Sequence, residues 1–397
     1  MKKTNLTARY ILIQIFLWAE FGCMYSYGNQ YLTERLHLTD TAAGLILGVA
    51  TGVAFLLQPP LTVYAERTNT RRVLTLAAAA SALCALATLL PLGTVATVLC
   101  FALSCTALLV MPSFSNALGM AGIRSGRSIN FGLARGLGSV SFAVAARLVA
   151  PLIRSLGRQA IPLSGAAMAL GALVMVLLFP QAAPAAAAAA PEEAPDSARV
   201  FFRSNRRFFV LLAGITLLYA GHNSLSNFMF RVAQNKIPNG DIDAATTLQG
   251  TALMISALME LPTMFLFTRM VKKLRCDLWL VLSGVFMLLR LVLSIVLPGE
   301  VGLCVAQTVQ LLGFALLAVS SVYYVGTVID RRNVIKGQTY LGATSTLGSV
   351  LAYVMCGALV DAIGVVGMLT VFSVLTAVGG LLTLLARQRV ARPVGVD

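Results

Sequence analysis

Twelve stretches of predominantly apolar sequence succeed one another along this chain, and their spacing constrains the fold more than any other feature. A hydrocarbon core of ~30 Å, at 1.5 Å rise per helical residue, takes roughly 20 apolar residues to cross. Windows of that length fall near residues 9–31, 39–64, 72–91, 94–117, 129–153, 158–180, 208–233, 242–268, 276–297, 300–328, 336–360 and 366–387. Such windows satisfy their backbone in lipid as helices, so the expected fold is an all-α membrane protein with 12 transmembrane helices. Composition agrees: 58% of the 397 residues are hydrophobic and 11% charged, against about 45–50% and about 25% in soluble domains. A soluble enzyme is excluded.

The 30 lysines and arginines outnumber the 15 acids, giving a net charge of +15. In a soluble chain this would suggest a nucleic-acid partner; here the charge sorts by topology, and no nucleic acid is expected. With both termini in the cytoplasm, the inner segments carry 22 basic residues. The outer ones carry six: Arg35, Arg147, Arg154, Arg158, Arg231 and Lys236. Arg135 and Arg290 fall inside spans. The positive-inside rule therefore predicts a multi-pass plasma-membrane protein with both ends cytoplasmic. The Met1-Lys2-Lys3 start followed by an apolar run mimics a signal peptide, but Glu20 interrupts the cleavage-site pattern and the run continues, so it reads as a retained first span. Seven scattered cysteines form neither a disulfide framework nor a CxxC metal site.

Between the sixth and seventh windows, a Pro/Ala-rich stretch with Pro180, Pro184, Pro191 and Pro195 reads as a cytoplasmic linker. The expected organisation is 1–180 as one six-helix bundle, 181–207 as linker and 208–397 as a second bundle. The halves resemble copies of each other. Pro60 and Arg67 recur as Pro262 and Arg269, and the Leu-Gly-Ser-Val of 137–140 recurs at 347–350. In folds built by such parallel duplication, substrate binds near the bilayer midplane between the halves.

The loop after the second window, Thr62 to Arg72, resembles the Gly-x3-Asp-[Arg/Lys]-x-Gly-x-[Arg/Lys]-[Arg/Lys] signature of the major facilitator superfamily. Glu66 keeps the acid and Arg67, Arg71 and Arg72 the bases, while Thr62 and Asn69 replace the glycines. The resemblance implies a cytoplasmic gate formed by Glu66, Arg67, Arg71 and Arg72. The stretch Phe131 to Phe142, with Arg135, Gly138 and Ser139, resembles the fifth span of the lactose-permease-like branch, which includes oligosaccharide and nucleoside proton symporters. The segment ending at Arg290 is similar to the ninth-span arginine segment of those permeases. In nucleoside permeases an arginine is followed by a hydroxyl residue four positions on and a phenylalanine seven on, which Arg135, Ser139 and Phe142 reproduce. The proton relay of the lactose permease is not kept: Gln310 and Gly313 stand at its His and Glu, and Asn223 and Asn227 where span-seven aspartates would be.

Four charges lie well inside spans: Glu20, Arg135, Glu260 and Arg290. A charge at the bilayer centre costs about 2.5–3.5 kcal/mol on insertion scales, so these are expected to be paired, hydrated or functional. The pairs expected are Glu20 with Arg135 and Glu260 with Arg290, acting either as proton-coupled pairs or as static locks between helices. Arg135, Ser139 and Phe142 share one helical face, combining a bidentate donor, a hydroxyl and an aromatic surface suited to a hydroxylated ring. Gln307, Gln310 and Phe314 form a stripe on span ten, and Asn223 with Asn227 a shorter one on span seven. These amides either face substrate or bond between helices. His222, the only histidine inside a span, reads first as a packing residue and second as a proton relay. Gly44, Gly48 and Gly52 read as close helix packing.

No phosphate-binding loop, metal cluster or nucleophile–base pair is visible, so neither an enzyme nor a cofactor is expected. The expected function is secondary active transport of a small polar solute, saccharide or nucleoside in type, by proton symport with alternating access. Proton-antiport efflux of amphipathic compounds and a non-transporting membrane sensor are the alternatives. The expected partners are the lipid bilayer, the small-molecule substrate and protons, and the expected state is a monomer.

Overall fold

The computed structural model describes residues 6–180, 197–273 and 275–388. Residues 181–196 of the expected linker lie outside these, as do Lys2, Lys3, Arg389 and Arg392 of the charge count. The described chain is built of helices: α1 (Thr7–Cys23), α2 (Asp40–Arg67), α3 (Thr70–Ala87), α4 (Thr94–Arg124), α5 (Phe131–Leu156), α6 (Ala160–Leu178), α7 (Arg206–Asn227), α8 (Ile242–Lys273), α9 (Cys276–Val296), α10 (Gly299–Thr308), α11 (Phe314–Val328) and α12 (Val334–Ala386). A short helix at Ala198–Ser204 occupies the end of the expected linker. Among the described residues, ten helices are long and apolar enough to cross a membrane, counting Gly299–Val328 as one. α1, at 17 residues, is shorter than these. α12 runs for 53 residues and breaks at Gly364, whose φ of 73° is open to glycine.

The polar residues between the apolar runs start and stop these helices. Thr39, Asn69 and Asn130 each accept a backbone N–H in the first turn of α2, α3 and α5, which satisfies a donor that the helix itself cannot. Asn69, standing where the superfamily signature has glycine, is thus a helix cap. Three arginines, in the first turns of α1 and α3 and in the segment after α4, close the C-terminal end of α6. Arg9 donates to Leu178 O at 3.1 Å, Arg71 to Val176 O at 3.0 Å, and Arg127 to Pro180 O at 2.6 Å. Cations there complement the helix dipole and fill orphan carbonyls.

The chain divides into two contact units, Met1–Ala188 with Asp241–Met254, and Ala189–Gly240 with Ile255–Asp397. Residues 241–254, which a six-and-six division counts in the second half, therefore cluster with the first. There Gln30 Nε2 donates to Thr246 Oγ1 at 2.6 Å and Gln249 Nε2 to Ser26 O at 2.9 Å.

In the first unit α1 packs on α5 and α6, and α3 on α4 and α6. α1 reaches α5 because Gly138 has no side chain: a Cβ there would lie 2.6 Å from Trp18. In the second unit α12 lies along α7 and α9, and α7 and α12 touch through Gly214 and Gly379. A Cβ on either would lie 2.8 Å from the other's carbonyl oxygen. Small residues at such crossings are how membrane helices gain packing contacts without a hydrophobic drive. The expectation for α2 is met only in part: Gly44 and Gly48 are buried, but a side chain on Gly52 would meet open space. Each step of four residues drifts by about 40° around a helix, so eight positions carry Gly52 off the packed face.

Two further acids, not among the four charges expected well inside spans, are buried. Asp40, at the start of α2, accepts from Asn29 Nδ2 at 3.1 Å. Asp277, in the first turn of α9, pairs with Arg275 at 2.7 Å and Arg387 at 3.3 Å. Hydrogen bonds to the Asp277 carboxylate raise the Arg275 guanidinium above its ordinary value. At the other end of α9, Lys236 Nζ donates to Ile295 O at 3.1 Å and Leu297 O at 2.7 Å, and burial lowers its ammonium below the usual lysine range.

Candidate functional site

Each unit holds its own polar cluster in an otherwise apolar interior, and broken helices carry several of the residues. α1 stops at Met24 and continues as tighter and wider turns to Arg35. α7 stops at Phe228 before a short helix, Met229–Lys236. α10 gives way at Val309–Leu311 to a single tight turn, and Gly313 has non-helical angles before α11. In transporter folds, interrupted helices of this kind supply binding groups at membrane depth.

In the first unit, the Arg135 guanidinium lies over Trp18, 4.0 Å from the ring centroid, and its Nη1 donates to Ser139 Oγ at 2.9 Å. Trp18 stacks on Phe21 at 5.2 Å, and Phe21 meets Tyr25 edge-on at 5.5 Å. The indole N–H donates to Gln14 Oε1 at 3.0 Å, and Gln14 Nε2 donates to Tyr10 at 2.8 Å and Ser115 at 3.1 Å. Trp18 is thus fixed by a buried amide network and in turn fixes Arg135. Arg135, Ser139 and Phe142 are all half-buried, and Arg135 bonds Ser139 one turn along α5.

Glu20 does not pair with Arg135 as expected. It is fully buried, and Ser81 Oγ lies 2.5 Å from its Oε1. Ser81 in turn sits 3.1 Å from Ser104 Oγ, which donates to Ser81 O at 2.9 Å. The second oxygen of Glu20, Oε2, has no hydrogen-bond partner among the described residues. The reason lies in α1's rotation: Trp18 and Glu20 are two residues, about 200°, apart on the helix, so Trp18 turns to α5 and Glu20 to α3 and α4.

The second unit gathers more of the predicted residues. Arg290, on α9, is 2% exposed. Its Nε and Nη2 donate to Gln307 Oε1 at 3.1 and 2.5 Å, Nη2 also to Ser256 Oγ at 3.2 Å, and Nη1 bonds His222 Nδ1 at 3.1 Å. Gln310 Nε2 donates to Glu260 Oε1 at 2.9 Å and lies 3.5 Å from His222 Nδ1. The Glu260 carboxylate acts on Arg290 electrostatically, so this expected pair shares one cluster, bridged by amides and an imidazole. His222 stacks on Phe314 at 4.2 Å. Buried Asn227 Nδ2 and Gln310 Oε1, a donor and an acceptor, have no hydrogen-bond partner among the described residues; Asn223 is half-buried.

Of the expected gate residues, Glu66, Arg67 and Arg72 are exposed around the α2–α3 turn, and Arg71 binds the end of α6. Sequence reasoning left out Trp18, Gln14, Ser81, Ser104 and Ser256 and placed His222 first among packing residues.

Residues 7–374 match the model of the MFS_1 like family. Among solved structures, a variant of the nucleoside transporter NupG superposes with a TM-score of 0.80 at 16% identity, covering 97% of this chain and 100% of that one. An auto-inhibited POT family peptide transporter gives 0.74 at 11% identity over 97% of both chains. A bacterial homologue of the human lysosomal transporter Spinster, inward-facing and unoccupied, gives 0.67 at 12% identity over 96% and 95%. No curated protein sequence matches the chain. With the family model spanning nearly the whole sequence and the fold shared with solved transporters, the chain belongs to the MFS_1-like family and is a multi-pass membrane transporter of the major facilitator type.

Proposed function

We propose that the protein is a proton-coupled symporter of a small hydroxylated solute, of the nucleoside or saccharide class, working by alternating access. The observation that carries this reading is a pair of buried amide atoms, Asn227 Nδ2 and Gln310 Oε1, that have no hydrogen-bond partner among the described residues. A buried donor and acceptor without partners are costly, and a ligand bearing both donors and acceptors would satisfy them. Within the other unit, the Arg135–Ser139 face with its Trp18 and Phe21 rings is by itself suited to the same solute class, since a fixed guanidinium binds hydroxyls or carbonyls in a fork and the rings offer stacking surface. The similarity to a nucleoside transporter favours the nucleoside class.

For coupling, Glu20 and Glu260 are the candidate proton carriers. Among the described residues no cation contacts Glu20, and a bare carboxylate is costly in an apolar interior; a proton removes that cost, and Ser81 with Ser104 supplies a hydroxyl path beside it. Glu260, held by Gln310 next to Arg290, joins the substrate amides to a charge that a proton can switch.

In this reading α1 and the two arms of α12 bring the spans to twelve. They form two six-helix bundles, 1–180 and 208–397, joined by 181–207, with both termini cytoplasmic, the protein a monomer in the plasma membrane, and Glu66, Arg67, Arg71 and Arg72 at the inner gate. The test is uptake of radiolabelled uridine and lactose into proteoliposomes under an acid-outside gradient. Accumulation that collapses with a protonophore supports the reading. Accumulation only with the gradient reversed points to antiport, and binding without flux to a sensor.

A further inference from the structure

His222 is the one titratable group in the second polar cluster that the symport scheme leaves without a part. Its surroundings are specific. From α9 Arg290 presents Nη1 at 3.1 Å to the ring's Nδ1. From the break between α10 and α11, Gln310 Nε2 stands 3.5 Å from the same nitrogen, and Phe314 covers the ring face at 4.2 Å. From α8 the nearby charge is Glu260, reached through Gln310. α12, packed along α7, brings the Thr376 hydroxyl against Gly221 next to it in sequence. On α7 itself Tyr219 lies three residues away and shares Phe314.

A guanidinium only donates hydrogen bonds. The contact with Arg290 therefore requires a lone pair on Nδ1, which assigns the neutral Nε2–H tautomer to His222. A proton added at Nδ1 would set two donors face to face at that distance. Either Arg290 or the ring must then move, and the groups ready to receive the new N–H are the partnerless Oε1 of Gln310, after an amide flip, and the Glu260 carboxylate. Arg290 would keep Gln307 and Ser256 but lose the ring that holds its Nη1.

We infer that His222 is a proton-operated positioning residue: neutral, it holds Arg290 through Nδ1; protonated, it releases Nη1 of Arg290 and turns to the Gln310–Glu260 side. The step is a single proton transfer to Nδ1: the Arg290–His222 hydrogen bond breaks and one from Nδ1–H forms, and where Gln310 Oε1 is the acceptor its amide flip also gives up the Nε2 bond to Glu260. It rests on the proton-coupled reading above and adds the group through which a proton changes what Arg290 can bind.

The chain has two histidines, so His37→Gln leaves His222 as the only imidazole. With that full-length protein ¹⁵N-histidine-labelled in lipid nanodiscs, solid-state NMR reads the tautomer directly. The expected result is a single neutral form with Nδ1 unprotonated at mildly alkaline pH and a doubly protonated ring on acidification. In Arg290→Gln the neutral form should become a mixture of both tautomers. An Nδ1–H tautomer, a ring that stays neutral throughout, or a tautomer indifferent to Arg290→Gln overturns the inference.

A transport arm uses His222→Asn, whose side-chain oxygen can accept from Arg290 but takes no proton. Uridine counterflow should persist while the stimulation of uptake by an acid-outside gradient falls at least about 10-fold. Unchanged stimulation overturns the coupling role. If neither uridine nor lactose enters wild-type liposomes, the proposed substrate class fails, and the NMR result still decides the switch.

Discussion

Arg135 lies flat over the indole of Trp18, 4.0 Å from the ring centroid, while Nη1 of the same guanidinium holds Ser139 at 2.9 Å. A side chain pinned on a ring and tied to a hydroxyl one turn along loses little rotamer freedom on binding a ligand. Cation–π contacts contribute about 0.5–2 kcal/mol depending on desolvation. Trp18→Leu should therefore weaken the apparent affinity for substrate roughly 2- to 30-fold, with Trp18→Phe between it and the wild type. Isothermal titration with uridine checks the order.

Arg135→Lys keeps the charge and removes the planar fork. The predicted loss of affinity is about 10-fold or more, because an ammonium cannot make two parallel bonds to one ligand edge. Equal binding by the lysine variant would remove Arg135 from the site.

Glu20→Gln preserves a hydrogen-bonding partner for Ser81 and abolishes the titratable group. Folding and counterflow should survive, and accumulation driven by a pH gradient should be lost. The comparison of counterflow with gradient-driven uptake in the same liposomes separates this from a general loss of activity.

The way residues came together shows what spacing along a chain can and cannot reveal. Arg135 with Ser139 was legible because four residues along a helix bring side chains onto one face. The apolar windows were legible for the same local reason. Gln307 and Gln310, by contrast, reach one cluster across the break at Val309–Leu311, which spacing does not reveal. Trp18 against Arg135, Glu20 against Ser81 and His222 against Arg290 join helices far apart in sequence, and no periodicity predicts how one helix is rotated toward another. The expected Glu20–Arg135 pair failed on that rotation alone. Asp277 was not among the expected site residues: Arg275 is its neighbour in sequence, but Arg387 lies at the end of another helix and only the packing brings it there.

That triad ties the start of α9 to the end of α12. Asp277→Asn removes both ion pairs and leaves two arginines only partly exposed to water, about 30% and 26%. The expected effect, weakened by solvent screening of the arginines, is a fall in the melting temperature of the detergent-solubilised protein.

Gly379→Ala should lower that melting temperature too, since the added Cβ would sit 2.8 Å from Gly214 O, and overpacking costs about 1–3 kcal/mol. Gly52→Ala, which meets open space, is the control and should leave it unchanged or slightly raised. Equal effects at both positions would contradict the α7–α12 contact.

The central claim is that this major facilitator protein moves a hydroxylated solute with protons. Initial-rate uptake of radiolabelled uridine into proteoliposomes, with and without an acid-outside pH gradient, tests it most directly. The account predicts accumulation above the external concentration that requires the gradient, disappears with a protonophore and is missing in Glu20→Gln. Uptake that reaches only equilibrium, and at the same rate without a gradient, would contradict it.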